Sequence, residues 1–156
     1  LHLWPSLADL TLTLAARWQV AAVRVPMSDS PAPLDVAVSA LSRRLRAKIA
    51  DRDLATTDRF AGLRQAGSWN EAMLEGTVER MARPGVTSVE FGTHPGLSHD
   101  PDRGRYRWNY QWSREFEALT SQRVATAVSR CGFTLGGFGD LAALKRPGPT
   151  EQGGAT

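Results

Sequence analysis

The chain has 156 residues with 42% hydrophobic and 22% charged side chains, the balance of one water-soluble domain with a real core. Nineteen Lys and Arg against sixteen Asp and Glu give a net charge of +3, too modest to require a nucleic-acid partner even with a pI near 9.6. No apolar run approaches the roughly 20 residues that cross a bilayer, and a secretory leader pattern is missing from the N-terminus. A single cysteine, Cys131, excludes an internal disulfide and a Cys-based zinc cage. It reads as a structural thiol, and a cytoplasmic setting fits. The chain opens on Leu1 rather than Met, so its true start is expected upstream.

Leu1-His2-Leu3-Trp4-Pro5 reads as the end of a strand closed by Pro5, with Ser6 capping a helix over 6–18. Leu7, Leu10, Leu14 and Trp18 supply that helix with an apolar stripe. Residues 20–25 form a second buried strand, in which the charge of Arg24 demands a partner or a ligand. A Ser/Pro loop leads to a helix over 34–50 with Leu41, Leu45 and Ile49 inward. Its Arg43, Arg44, Arg46 and Lys48 read as a solvated face, because no aromatic platform is interleaved with them. A weak strand over 59–63 follows, then a helix over 68–82 capped by Ser68. Pro84-Gly85 feeds a strand over 86–92. Helices are expected over 112–119 and 121–131, a fifth strand over 133–138, and a disordered tail over 145–156.

Strands alternating with helices predict a mostly parallel sheet of four or five strands flanked by helices, with 1–144 as the folded part. A half-barrel of this kind leaves a strand edge unpaired or covered by a partner chain, which keeps a homodimer open.

The stretch Val89-Glu90-Phe91-Gly92-Thr93-His94-Pro95-Gly96 ends a strand abruptly at a histidine. Ligands gather at the C-terminal ends of parallel strands, so His2 and His94 can face one cleft. A surface loop whose histidine flanks a proline is the competing reading. His99, Asp100, Asp102, Arg103 and Arg105 lie just beyond, but no HxH, HxxxH or HExxH spacing marks a metal site. Glu90 can point to a cleft, pair with Arg24, or face solvent.

Five stretches, in order, resemble the YdjC-like carbohydrate deacetylases. They are residues 1–5, Ala22-Val23-Arg24-Val25-Pro26, Glu90 through Gly96, Tyr110 through Thr120, and Gly132 through Leu141. The wording of Ala22–Pro26 and Gly136–Leu141 is similar to the hopanoid-biosynthesis-associated branch. The resemblance implies the second half of an irregular (β/α) barrel, related to polysaccharide deacetylases. It also implies a divalent metal, Mg or Zn, and removal of an N-acetyl group from an amino sugar. His94 matches a His-Pro motif given the role of catalytic acid. Arg24 and Glu90 match supporting positions, and His2 matches the last histidine of a His-rich strand. His2 is thus the nearest metal candidate in a chain without an assured ligand set, expected to be incomplete and inactive alone. The rival reading is a non-catalytic α/β interaction domain whose basic helix binds an acidic partner.

Overall fold

A computed structural model describes residues 2–28, 30–52, 54–105 and 107–145, with the side chain of Arg103 left out. Its elements are α1 (Pro5–Arg17), α2 (Pro33–Ala50), β1 (Arg59–Ala61), α3 (Glu71–Met81), β2 (Val89–Phe91), a 3₁₀ turn (Pro101–Arg105), α4 (Trp112–Leu119), α5 (Gln122–Arg130) and α6 (Phe138–Lys145). The architecture is mixed α/β. Arg59, Phe60 and Ala61 of β1 pair in parallel with Val89, Glu90 and Phe91 of β2. A parallel bridge joins Ala22 to Ala55, on the chain just ahead of β1. The parallel order expected from the sequence is therefore present, but the named sheet has two strands, not four or five.

The helices follow local chemistry. Pro5 and Pro33 occupy first helical turns, where a missing N–H costs nothing. The Asn70 side chain accepts from Met73 N at 3.0 Å and starts α3. Ser68, expected to cap that helix, instead donates to Gln65 O at 2.9 Å. Ser121 caps α5 through Arg123 N. Glu71, Glu75 and Glu79 recur every four residues along α3, and Arg123 and Arg130 of α5 pair with that row.

The core falls into three patches. Ala8, Leu12, Ala15, Val23, Val25, Leu45 and Ile49 join α1, α2 and the 21–25 segment. Ala61, Trp69, Leu74, Ala118 and Val124 join β1 to α3, α4 and α5. Leu141 and Ala142 of α6 close over Ala55, with Ala22 packed beside them. Asp58 binds these pieces together. It accepts from Thr87 N at 2.8 Å, Ser88 N at 3.0 Å and the Lys145 ammonium at 2.5 Å. Burial pushes its carboxyl up, but Lys145 and the Thr87 donors outweigh that and hold it well below the usual carboxylate range.

Four further expectations need correction. Residues 2–4 are a turn leading into α1 rather than a strand, because Pro5 opens the helix. The stripe of α1 is inverted: Leu12 is 0% exposed, whereas Leu7, Leu10, Leu14 and Trp18 face outward, Trp18 at 71%. The buried face is Ala8, Leu12 and Ala15, which joins Leu45 and Ile49 of α2 and Val23 and Val25 in one cluster. Residues 133–137 do not form a strand. Gly132 takes φ +77 and Phe133 N donates to Val128 O at 3.1 Å, a glycine-terminated helix end. Asp140 then accepts from Gly137 N at 2.8 Å, half of a capping box that starts α6. Finally, the basic row of α2 is not wholly a free solvated face, since half-buried Arg46 donates to Thr57 O at 2.7 Å and Lys48 pairs with Asp9 at the surface at 2.5 Å. Of the expected tail, Lys145 ends α6 and 146–156 lie outside the described residues.

The inverted stripe makes a direct test. Leu12→Ala is expected to cost about 2–5 kcal/mol in chemical denaturation, and Leu10→Ala less than about 0.5. Equal losses would restore the outer stripe as the packed one.

Candidate active site

The chain beyond β2 is fixed at every second residue. Gly92 N donates to Ala61 O at 2.7 Å, His94 N to Glu115 Oε2 at 2.5 Å, and Gly96 N to Trp112 O at 3.1 Å. Successive extended residues point to opposite sides, so alternate N–H groups share one side and find three different anchors. The indole of Trp69, buried in the core, donates to Gly92 O at 2.9 Å. The approach between the strand ends requires glycine. Gly62 takes φ +118, and a Cβ there would sit 2.4 Å from Gly92 O.

Glu115, at the start of α4, is fully buried. Its Oε1 accepts from Gly67 N and from Trp69 N, the latter at 3.0 Å. Oε2 takes His94 N. Three N–H donors supply what a carboxyl group removed from water needs. Position 115 lies three residues after Trp112 and three before Ala118, on the buried stripe of α4. A carboxylate on an apolar stripe was the available signal for it, and the sequence reading passed over it.

The His94 imidazole is exposed and stacks on Tyr110, with centroids 4.6 Å apart and planes 4° from parallel. Among the described residues its ring nitrogens have no hydrogen-bond partner. Tyr110 lies in turn against Gly67, whose φ is +92 and whose absent Cβ would fall 2.1 Å from the Tyr110 ring. Gln111 N donates to Gly67 O at 2.6 Å, holding the two segments together. Trp108 and Trp112 complete the cluster, at 5.7 and 5.3 Å from Tyr110 and 6.0 Å from each other.

Arg24, Glu90 and His2 form a second group. Arg24 Nε pairs with Glu90 Oε1 across the sheet, and the guanidinium stands 6.0 Å from the centre of the Phe60 ring. Phe60 is the register partner of Glu90, so both project from one face. His2 Nε2 meets Arg24 O at 3.0 Å, a contact that assigns the ring hydrogen to Nε2. Glu90 Oε2 is buried without a partner among the described residues. The sequence-derived residues therefore sort into a His2–Arg24–Glu90 chain of contacts and, four residues on, His94 with its aromatic neighbours. The loop residues join neither group. Asp100 accepts from Asp102 N at 2.9 Å, Asp102 pairs with Arg105 at 3.4 Å, and His99 is exposed.

Among the described residues no three His, Cys, Asp or Glu side chains converge on a metal position. His2 Nε2 is engaged on a backbone oxygen and Glu90 Oε1 on Arg24, while Glu90 Oε2 is buried and, among the described residues, no further carboxylate or histidine joins the His94 ring. These residues by themselves do not fit the divalent metal that the resemblance implies.

The Glu115 anchor sets an expectation. Glu115→Gln turns an NH₂ toward backbone donors, and the change is expected to cost about 3 kcal/mol. Glu117→Gln, at an exposed position two residues on, is expected to change stability by less than about 0.5 kcal/mol in the same denaturation experiment. Similar values for both would show that the buried carboxylate does not hold these segments.

Comparison with protein families matches the YdjC-like protein model over residues 1–130. That span contains four of the five resembling stretches, and Gly132–Leu141 falls beyond it. No curated protein and no solved structure matches the chain. No helix among the described residues is long and apolar enough to cross a membrane. With most of its length, including the strand end that carries His94, inside the matched span, the chain belongs to the YdjC-like family, a family generally related to carbohydrate deacetylases.

Proposed function

We propose that this chain carries the acid side of a metal-dependent hydrolase that removes an N-acetyl group from an amino sugar. The observation behind this reading is His94: its backbone is held by Glu115, while its exposed imidazole has nitrogens without partners among the described residues. Amide hydrolysis adds water to the acetyl carbonyl and then breaks the C–N bond. The departing amine takes up a proton, because an amide anion is a very poor leaving group. A histidine is the side chain whose ordinary pKa suits that donation near neutral pH. His94 gives its proton to the sugar nitrogen, and the products are acetate and the free amino sugar.

Glu90 and Arg24 support the site rather than supply the proton. Glu90 Oε1 pairs with Arg24 and its Oε2 is buried, so the pair braces the end of β2 that carries His94. His2 supports Arg24 through its backbone oxygen.

The reading extends to a divalent metal, Mg or Zn, whose ligands are other than the described residues, and to a cytoplasmic setting. It takes the parallel pairing and flanking helices as part of an irregular (β/α) barrel, the second half of the family fold. A hopanoid-linked amino sugar is the finer substrate reading, supported by the wording of Ala22–Pro26 and Gly136–Leu141. The outward apolar face of α1 suits a packed neighbour, in the simplest case a second copy of the chain.

In the full-length protein, assayed by acetate release from N-acetylated amino sugars, His94→Ala is expected to lower kcat by about 10²–10⁴-fold with KM and melting temperature little changed. Undiminished kcat would remove His94 from the acid role. A loss that only tracked unfolding would reduce it to a turn-forming residue.

A further inference from the structure

We infer that Trp108, with Tyr110 and Trp112, forms a stacking platform for a sugar ring beside His94. The inference rests on the deacetylase reading of the His94 site and deepens it by naming the side chains that would recognise the carbohydrate.

Trp108-Asn109-Tyr110-Gln111-Trp112 alternates aromatic rings with carboxamides, and both carboxamide residues are exposed. Asn109 takes φ +53, a left-handed conformation that asparagine tolerates better than most residues. That turn lets three rings from five consecutive residues contact one another, Trp108 with Trp112 at 6.0 Å and both with Tyr110. The cluster is tied to the reactive end of β2 twice, through the Tyr110–His94 stack and through Gly96 N on Trp112 O. Trp108 is nevertheless 53% exposed. A large ring kept half in solvent at the edge of a reactive histidine is poorly explained by core packing alone.

Pyranose rings present faces rich in C–H bonds and rims rich in hydroxyls. An aromatic face meets the first, and exposed carboxamides meet the second. The rings themselves carry no charge, so the contact they offer is to an apolar face. Binding away from the reacting bond positions the acetamide, so the platform acts on affinity more than on the chemical step.

The test uses full-length protein with N-acetylglucosamine and its short β-1,4 oligomers as probes. Calorimetry supplies the binding constant and acetate release supplies kcat and KM. Trp108→Ala is expected to weaken binding and raise KM about three- to tenfold, the usual scale of one aromatic contact, with kcat held. Trp108→Phe should recover most of the loss, with both variants melting within a few degrees of the parent. Three results would overturn the platform. One is parental affinity in Trp108→Ala, which leaves the role of His94 standing if His94→Ala has lost turnover. Another is equal destabilisation by both variants, the mark of a packing role. The last is a parent protein that binds none of the probes.

Discussion

The buried carboxylate of Glu115 is the constraint on which the site depends. It gathers the N–H groups of Gly67, Trp69 and His94 from two segments that are distant in sequence. Removing a carboxyl group from water is costly, and that cost is met only while all the donors are in place. The same geometry brings Tyr110 against Gly67 and under His94, and sets the Trp69 indole on Gly92 O. Placement of the candidate acid is thus a consequence of one polar centre, which sits beside the α3–α4–α5 patch.

A division of labour follows from how each group is held. His94 is fixed through its backbone, and among the described residues its exposed ring nitrogens have no partner, which leaves them open to a substrate. Glu90 is fixed through its side chain, with one oxygen on Arg24 and the other buried without a partner among the described residues. The first suits transfer and the second suits holding the strand end in place. Both stand on or just beyond β2, whose register with β1 is short. Asp58 reinforces that register from the opposite end, where it collects Thr87, Ser88 and Lys145.

Helices were legible in the sequence because caps and 3.6-residue periodicity are local signals. The range for α4 agrees at both ends, and that for α5 lies within one residue at each. Burial was less legible. α1 carries leucines on two faces, and which one is buried depends on where α2 and the 21–25 segment lie, a property of the tertiary packing and not of the helix. Gly136-Gly137-Phe138 looks strand-like until the Asp140 cap is seen. Of the site, His2, Arg24, Glu90 and His94 were named from strand ends and family resemblance, and the structure joins the first three through direct contacts. Glu115 and Tyr110 were missed as site residues, since their roles depend on donors and a glycine some fifty and forty residues away in the chain.

Residue-resolved amide hydrogen exchange tests the central claim most directly. If Glu115 holds the two segments together, the amides of Gly67, Trp69 and His94 are protected in the parent protein and open as one unit. In Glu115→Gln all three should lose protection by more than about tenfold, while Leu45 and Ile49 in the α1–α2 core keep theirs. Independent exchange of the three amides in the parent, or protection at His94 that survives Glu115→Gln, would contradict the account.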